Sequence, residues 1–93
     1  MKSAIAEHGP WAQRFKALAH PARLLLVRRL MASERCVSDV EKGLGLSQPN
    51  VSQHLKILKE AGIIEGRREG TRICYRISDD RIARILRITS EKD

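Results

Sequence analysis

Apolar residues at Trp11, Phe15 and Leu18 recur every three or four positions, the interval that gathers side chains on one face of a helix. The run breaks at Ala19-His20-Pro21, because proline disfavours helical backbone in the residue before it. Pro21 itself suits a first helical turn, where its missing N–H costs nothing. From Pro21 to about Ala32, Leu24, Val27 and Leu30 or Met31 form a second stripe, with Arg23, Arg28 and Arg29 off its centre. Ser33-Glu34-Arg35 ends that helix, and Cys36-Val37 reads as a short extended piece before a third helix from about Ser38 to Lys42. Gly43 and Gly45 then make a tight break. The next helix has Ser47 as N-cap, Pro49 in its first turn and Gly62 at its close.

Beyond Gly62 the period changes to two. Ile64, Ile73, Tyr75 and Ile77 alternate with polar neighbours, and a two-residue loop at Glu69-Gly70 sets Arg68 opposite Thr71, Ile64 opposite Tyr75 and Glu65 opposite Cys74. Ser78 or Asp79 caps a last helix to about Thr89 that carries Ile82, Ile85 and Leu86 on one face. The segment 1–10 lacks apolar periodicity, contains Gly9-Pro10 and reads as a flexible lead-in. The expected fold is mainly α with a small β-hairpin, about five helices in a single domain over residues 11–93.

Composition narrows the function classes. Eighteen basic against eleven acidic residues give a net charge of +7, which suits a polyanionic partner. Residues 1–35 carry seven bases and two acids, 36–61 three and three, and 62–93 eight and six, so the excess frames a nearly neutral middle. No run approaches the ~20 apolar residues of a membrane span and no signal-peptide pattern opens the chain, so a cytoplasmic protein without membrane contact is expected. An enzyme is disfavoured: the sequence offers no nucleophile, base and orienter set, no glycine-rich phosphate loop and no metal motif.

The helix after Ser47 carries the most informative chemistry. Val51, His54, Leu55, Leu58 and Ala61 fall on one side, and Gln48, Ser52, Gln53, Lys56 and Lys59 on the other. A merely soluble helix usually wears glutamate and lysine at salt-bridge spacing. This one leads with two-way hydrogen-bonders and sets lysines behind them. Glutamine can bond the N6 and N7 edge of adenine, serine can donate or accept, and lysine reaches phosphates. An isolated face of this kind is most often plain solvated surface. Here, however, a short helix, a glycine turn, a second helix and a basic hairpin follow one another, as in a helix-turn-helix with a wing. On that basis Gln48, Ser52 and Gln53 read bases, Ser47, Asn50, Lys56 and Lys59 support them, and Arg67, Arg68 and Arg72 anchor the wing on double-stranded DNA.

Leu18-Ala19-His20-Pro21-Ala22-Arg23-Leu24, the run from Leu46 to Ile63 and the strand ending Tyr75-Arg76-Ile77 together resemble the ArsR/SmtB family of bacterial winged-helix repressors over residues 11–89. The resemblance implies a homodimer joined by the first and last helices, a recognition helix in each major groove, and DNA affinity that falls when an effector binds. The residues agree at the dimer: Trp11 and Phe15 near the start and Ile82, Ile85 and Leu86 near the end would otherwise leave an apolar patch. A two-fold dimer reads an inverted repeat with half-sites about 34–36 Å apart. The competing class is a winged-helix module that binds protein through its basic wing and shows no DNA sequence preference.

Family members that sense metals often carry Cys-Val-Cys at the start of the third helix, where this chain has Cys36-Val37-Ser38. A serine replaces thiolate poorly toward soft ions. The family's histidine and carboxylate site on the last helix lacks its histidines, since 81–93 holds none. Cys36 and Cys74 remain, and are expected as free thiols, with Cys74 partly exposed among Arg72 and Arg76. Three roles stay open: small packing residues, a thiol or redox sensor, or two thiolates for a thiophilic metal. DNA binding itself requires no cofactor. His20 and His54 read as structural hydrogen-bonders rather than ligands.

Overall fold

The computed structural model describes residues 3–36 and 44–90, with the backbone alone at 35 and 36. The third helix expected at 38–42 lies outside them. Five helices and three strands are described: α1 (Ala4–Glu7), α2 (Gly9–Leu18), α3 (Pro21–Ala32), β1 (Arg35–Cys36), α4 (Gln48–Glu60), β2 (Ile64–Glu69), β3 (Arg72–Ile77) and α5 (Asp80–Ile88). The fold is mainly helical with an antiparallel β-hairpin wing. One expectation is corrected at the start, where 4–7 is helical because the Ser3 hydroxyl accepts the Ala6 N–H at 3.1 Å and caps a first turn.

Local chemistry sets the helix ends. His20 Nδ1 accepts the Ala22 N–H at 3.1 Å, so a histidine serves as the N-cap of α3. The Ser47 hydroxyl accepts from Asn50 to cap α4, and the Asp79 carboxylate accepts from Arg81 N to cap α5. At the far end of α4 the Ile63 N–H bonds Leu58 O and the Gly62 N–H bonds Lys59 O, both at 3.0 Å. That pair of bonds, with Gly62 at φ +80° and Ile63 buried beside Leu58, is a Schellman close. Ser78 then bonds Gly62 O through its hydroxyl at 2.7 Å and Ile63 O through its N–H at 3.0 Å, pinning the base of the hairpin to the helix end. Gly62→Ala should cost about 1–2 kcal/mol, the strain of a Cβ in left-handed backbone. Urea unfolding should show a lower midpoint at unchanged slope, and an unchanged midpoint would mean this close contributes nothing.

The core gathers Leu26, Val27 and Leu30 of α3, Val51, Leu55 and Leu58 of α4, Ile63 and Ile64, and Ile82 and Leu86 of α5. The apolar stripes expected on α3 and α4 therefore face inward together. Ile82 and Leu86, expected at a dimer surface, are 0 % and 4 % exposed within the protomer, which corrects their assignment. They pack α5 against the core of its own chain. Phe15 and Ile88 stay exposed, and Ile85 is half-buried.

The sheet order is β1-β3-β2, all antiparallel, so β3 is central. The hairpin register departs from expectation by two residues: Ile64 faces Ile77, Gly66 faces Tyr75, Arg67 faces Cys74 and Glu69 faces Arg72. The loop is Gly70-Thr71, with Gly70 at φ +64° in its first position. Glycine there supplies the positive φ that a tight hairpin loop needs, and this decides the register. A two-residue shift leaves each side chain on its expected face.

Candidate nucleic-acid interface

Capped by Ser47 and closed at Gly62, α4 presents Gln48, Ser52, Gln53, Lys56 and Lys59 to solvent while Val51, Leu55 and Leu58 anchor its other side. Gln48, Ser52, Lys56 and Lys59 make one stripe, with Gln53 at its edge. Asn50 is exposed too, but it lies about 160° around the helix from Ser52 and flanks the stripe from behind. Ser47, also exposed, has its hydroxyl engaged in the cap. With no acidic residue in the first turn, the positive end of the helix dipole is left for an anion.

The wing adds basic groups of unequal kind. Arg68 faces Ile73 and, among the described residues, forms no ion pair, while Arg72 stands across from Glu69. Arg67 is already engaged: its Nε donates to Glu34 Oε2 at 3.1 Å and its Nη2 to Glu34 Oε1 at 2.6 Å. The paired guanidinium holds the Glu34 carboxyl below its ordinary range, and Glu34 raises Arg67 in return. Of the three arginines expected to anchor the wing, Arg67 is therefore held by a carboxylate of its own chain. Glu34 lies 33 residues away, and nothing in the periodicity of either segment joins them.

Cys74 also departs from expectation. It is 2 % exposed and disulfide-bonded rather than a partly exposed thiol. As a residue of the central strand it is flanked on both sides, by Cys36 on β1 and Arg67 on β2. Cys36, the chain's one other cysteine, is its Cα partner, and directly opposed antiparallel residues fall within the Cα separation a disulfide spans. In this state Cys74 offers no thiolate to a metal ion.

A cluster that the sequence did not disclose ties α4 to the α2–α3 junction. Arg23 donates through Nε to Ala17 O at 2.5 Å, and its Nη1 lies 3.3 Å from His54 Nδ1. The rings of His20 and His54 are 4.6 Å apart. Because arginine only donates, His54 Nδ1 must keep its lone pair, so the contact belongs to neutral imidazole. Burial first, then His20 and Arg23, holds His54 below its ordinary 6.5. With the folded value below the unfolded one, this stability is complete above pH 6.5 and is lost as pH falls through the lowered value. The melting temperature should therefore drop between about pH 7 and pH 5, and less steeply in His54→Gln. Parallel profiles for the two proteins would remove His54 from this role.

At the other end of α2, the Arg14 and Arg81 guanidiniums sit 4.7 and 5.0 Å from the Trp11 ring centre. Arg81 is also bonded to Asp79, whose carboxyl is lowered to about 2 chiefly by that bond. Trp11 thereby joins α2 to the start of α5, and Phe15, 5.7 Å from it, carries the apolar surface outward.

An exposed hydrogen-bonding helix followed by a basic hairpin on a three-stranded sheet is the arrangement of a winged helix-turn-helix domain. The profile of the bacterial regulatory protein arsR family matches residues 20–65. The HTH-type transcriptional repressor SmtB of Mycobacterium tuberculosis is 46 % identical over 71 residues, which cover 76 % of this chain and 53 % of that protein. The biofilm growth-associated repressor of Agrobacterium fabrum is 46 % identical over 71 residues, covering 76 % and 61 %. A homodimeric winged helix-turn-helix DNA-binding domain from Mycobacterium bovis superposes with a TM-score of 0.86 at 34 % identity, covering 96 % of this chain and 84 % of that one. The chain belongs to the ArsR/SmtB family of winged helix-turn-helix transcriptional regulators. It spans just over half the length of the mycobacterial SmtB repressor. The family is one of bacterial regulatory proteins. Among the described residues no helix is long and apolar enough to cross a membrane.

Proposed function

We propose that the protein is a cytoplasmic, homodimeric, sequence-specific repressor that binds an inverted-repeat operator and is released by thiol oxidation. The observation that carries this reading is the stripe of Gln48, Ser52, Lys56 and Lys59, solvent-exposed on a helix that Val51, Leu55 and Leu58 lock into the core. Amides and hydroxyls at the leading end suit base edges, and lysines behind them suit phosphates. Exposed Phe15 and Ile88 supply apolar surface for a second copy. The disulfide at Cys74, in the strand that builds the wing, supports a thiol signal.

Selection of bound sequences from random duplexes by the reduced protein tests the reading. A two-fold symmetric consensus with half-site centres one helical turn apart is expected, and anisotropy on that duplex should weaken on oxidation. Oxidation should leave Cys74→Ser unchanged. Enrichment of no consensus, with affinity equal on scrambled DNA, would favour a protein-binding module instead.

A further inference from the structure

Cys36, Cys74 and Arg67 are Cα partners in one row across the sheet, from β1 through the central strand to β2. Directly opposed residues of an antiparallel ladder point to the same face, so Arg67 projects on the face that carries Cys74. Glu34 precedes β1 at the far edge of that row, and Arg67 reaches it with two bonds. The ion pair therefore spans the central strand at the level of Cys74, which accounts for the burial of that sulfur. Glu69 completes the roof: one of its oxygens lies 3.4 Å from Arg67 Nη2 and 3.8 Å from Cys74 Sγ.

The Arg67 side chain is 56 % exposed and stands on the hairpin, yet Glu34 takes two hydrogen bonds from its guanidinium, while Glu69 stands farther off at 3.4 Å. A phosphate must displace Glu34 before it gains that contact. The strand that delivers Glu34 is only two residues long and has β3 as its neighbour in the sheet. Two ladder pairs hold an edge strand weakly.

We propose that Glu34 masks Arg67 from DNA for as long as the disulfide at Cys74 is closed and holds β3 to β1, and that its reduction releases Glu34 and turns Arg67 into a phosphate ligand. This rests on the reading of a DNA-binding, thiol-responsive regulator. The reductant is a cellular dithiol. It gives two electrons and two protons to the S–S bond, leaves Cys74 and its partner sulfur as thiols, and is itself oxidised to a disulfide. Oxidation reverses the step and restores the ion pair that competes with DNA.

The test is the salt dependence of DNA affinity for oxidised and reduced wild type, Glu34→Gln and Arg67→Ala. Each phosphate neutralised steepens the slope of log K against log salt by about 0.9. Reduced wild type should be steeper than oxidised by about that much per protomer. Glu34→Gln should hold the steeper slope in both redox states, and Arg67→Ala the shallower slope in both. A redox difference that persists in either variant overturns the masking while leaving the thiol-switch reading intact. Equal slopes and affinities in oxidised and reduced wild type overturn the thiol switch and the masking together, and loss of selectivity in every form overturns the DNA reading itself.

Discussion

Phe15→Glu should give a folded monomer that binds the selected inverted repeat about 10²–10⁴-fold more weakly than wild type, the loss expected when two linked sites become independent. Phe15 is 51 % exposed and lies outside the buried core, so its removal takes little from the fold of the protomer. Its ring is 5.7 Å from Trp11, which is itself held under Arg14 and Arg81. The residue therefore stands on a fixed platform, as an interface anchor needs. A carboxylate at that position would have to be desolvated without a partner in any apolar interface built there. Sedimentation gives the mass and anisotropy the affinity, while an unchanged urea midpoint confirms that the chain still folds. A dimer that survives the substitution would move the interface away from α2.

The second large effect belongs to α4. Gln48→Ala should cost about 1–3 kcal/mol on the preferred duplex and relax the preference at one base position, because the lost amide bonds are specific to one base edge. Arg68→Ala should weaken every sequence alike and lower the salt slope by about 0.9 per protomer, the signature of a lost phosphate contact. Both residues are exposed, and neither is packed against the core. The helix keeps its Ser47 cap and its Gly62 close in either variant, so the comparison isolates side-chain chemistry. Binding measured on a panel of single-base variants of the operator separates the two patterns. Uniform losses for both substitutions would take Gln48 out of base reading.

Much of this interface is legible without coordinates. The helical period from Gln48 to Ala61 sorts inward from outward side chains, and Val51, Leu55 and Leu58 are indeed buried while Gln48, Ser52 and Lys56 are exposed. The cap at Ser47, and the choice of Ser78 or Asp79 that the structure settles as Asp79, follow from side chains that bond backbone only a few residues away. The strands of the wing are equally plain from alternation. Their register is not, because Glu69-Gly70 and Gly70-Thr71 are both two-residue loops and both keep the same faces inward; the position at which glycine takes φ +64° separates them. For α5 the stripe Ile82, Ile85 and Leu86 announces an apolar contact without saying with which chain. Packing answers that Ile82 and Leu86 meet their own protomer.

The features readable from residue order are therefore local: which segments turn into helix or strand, where most of the helices begin and end, and which side of α4 meets solvent. They follow from periodicity, proline and glycine backbone preferences, and caps within a few residues. Packing in three dimensions was needed to learn which of the polar and thiol groups already have partners. Arg67 meets Glu34, His54 meets Arg23 and His20, and Cys74 is buried under an ion pair contributed from either side of its strand. The reason is physical: an ion pair or a burial depends on distance in space, and residues 31 to 34 positions apart come within a few ångströms only when the helices and the sheet have packed.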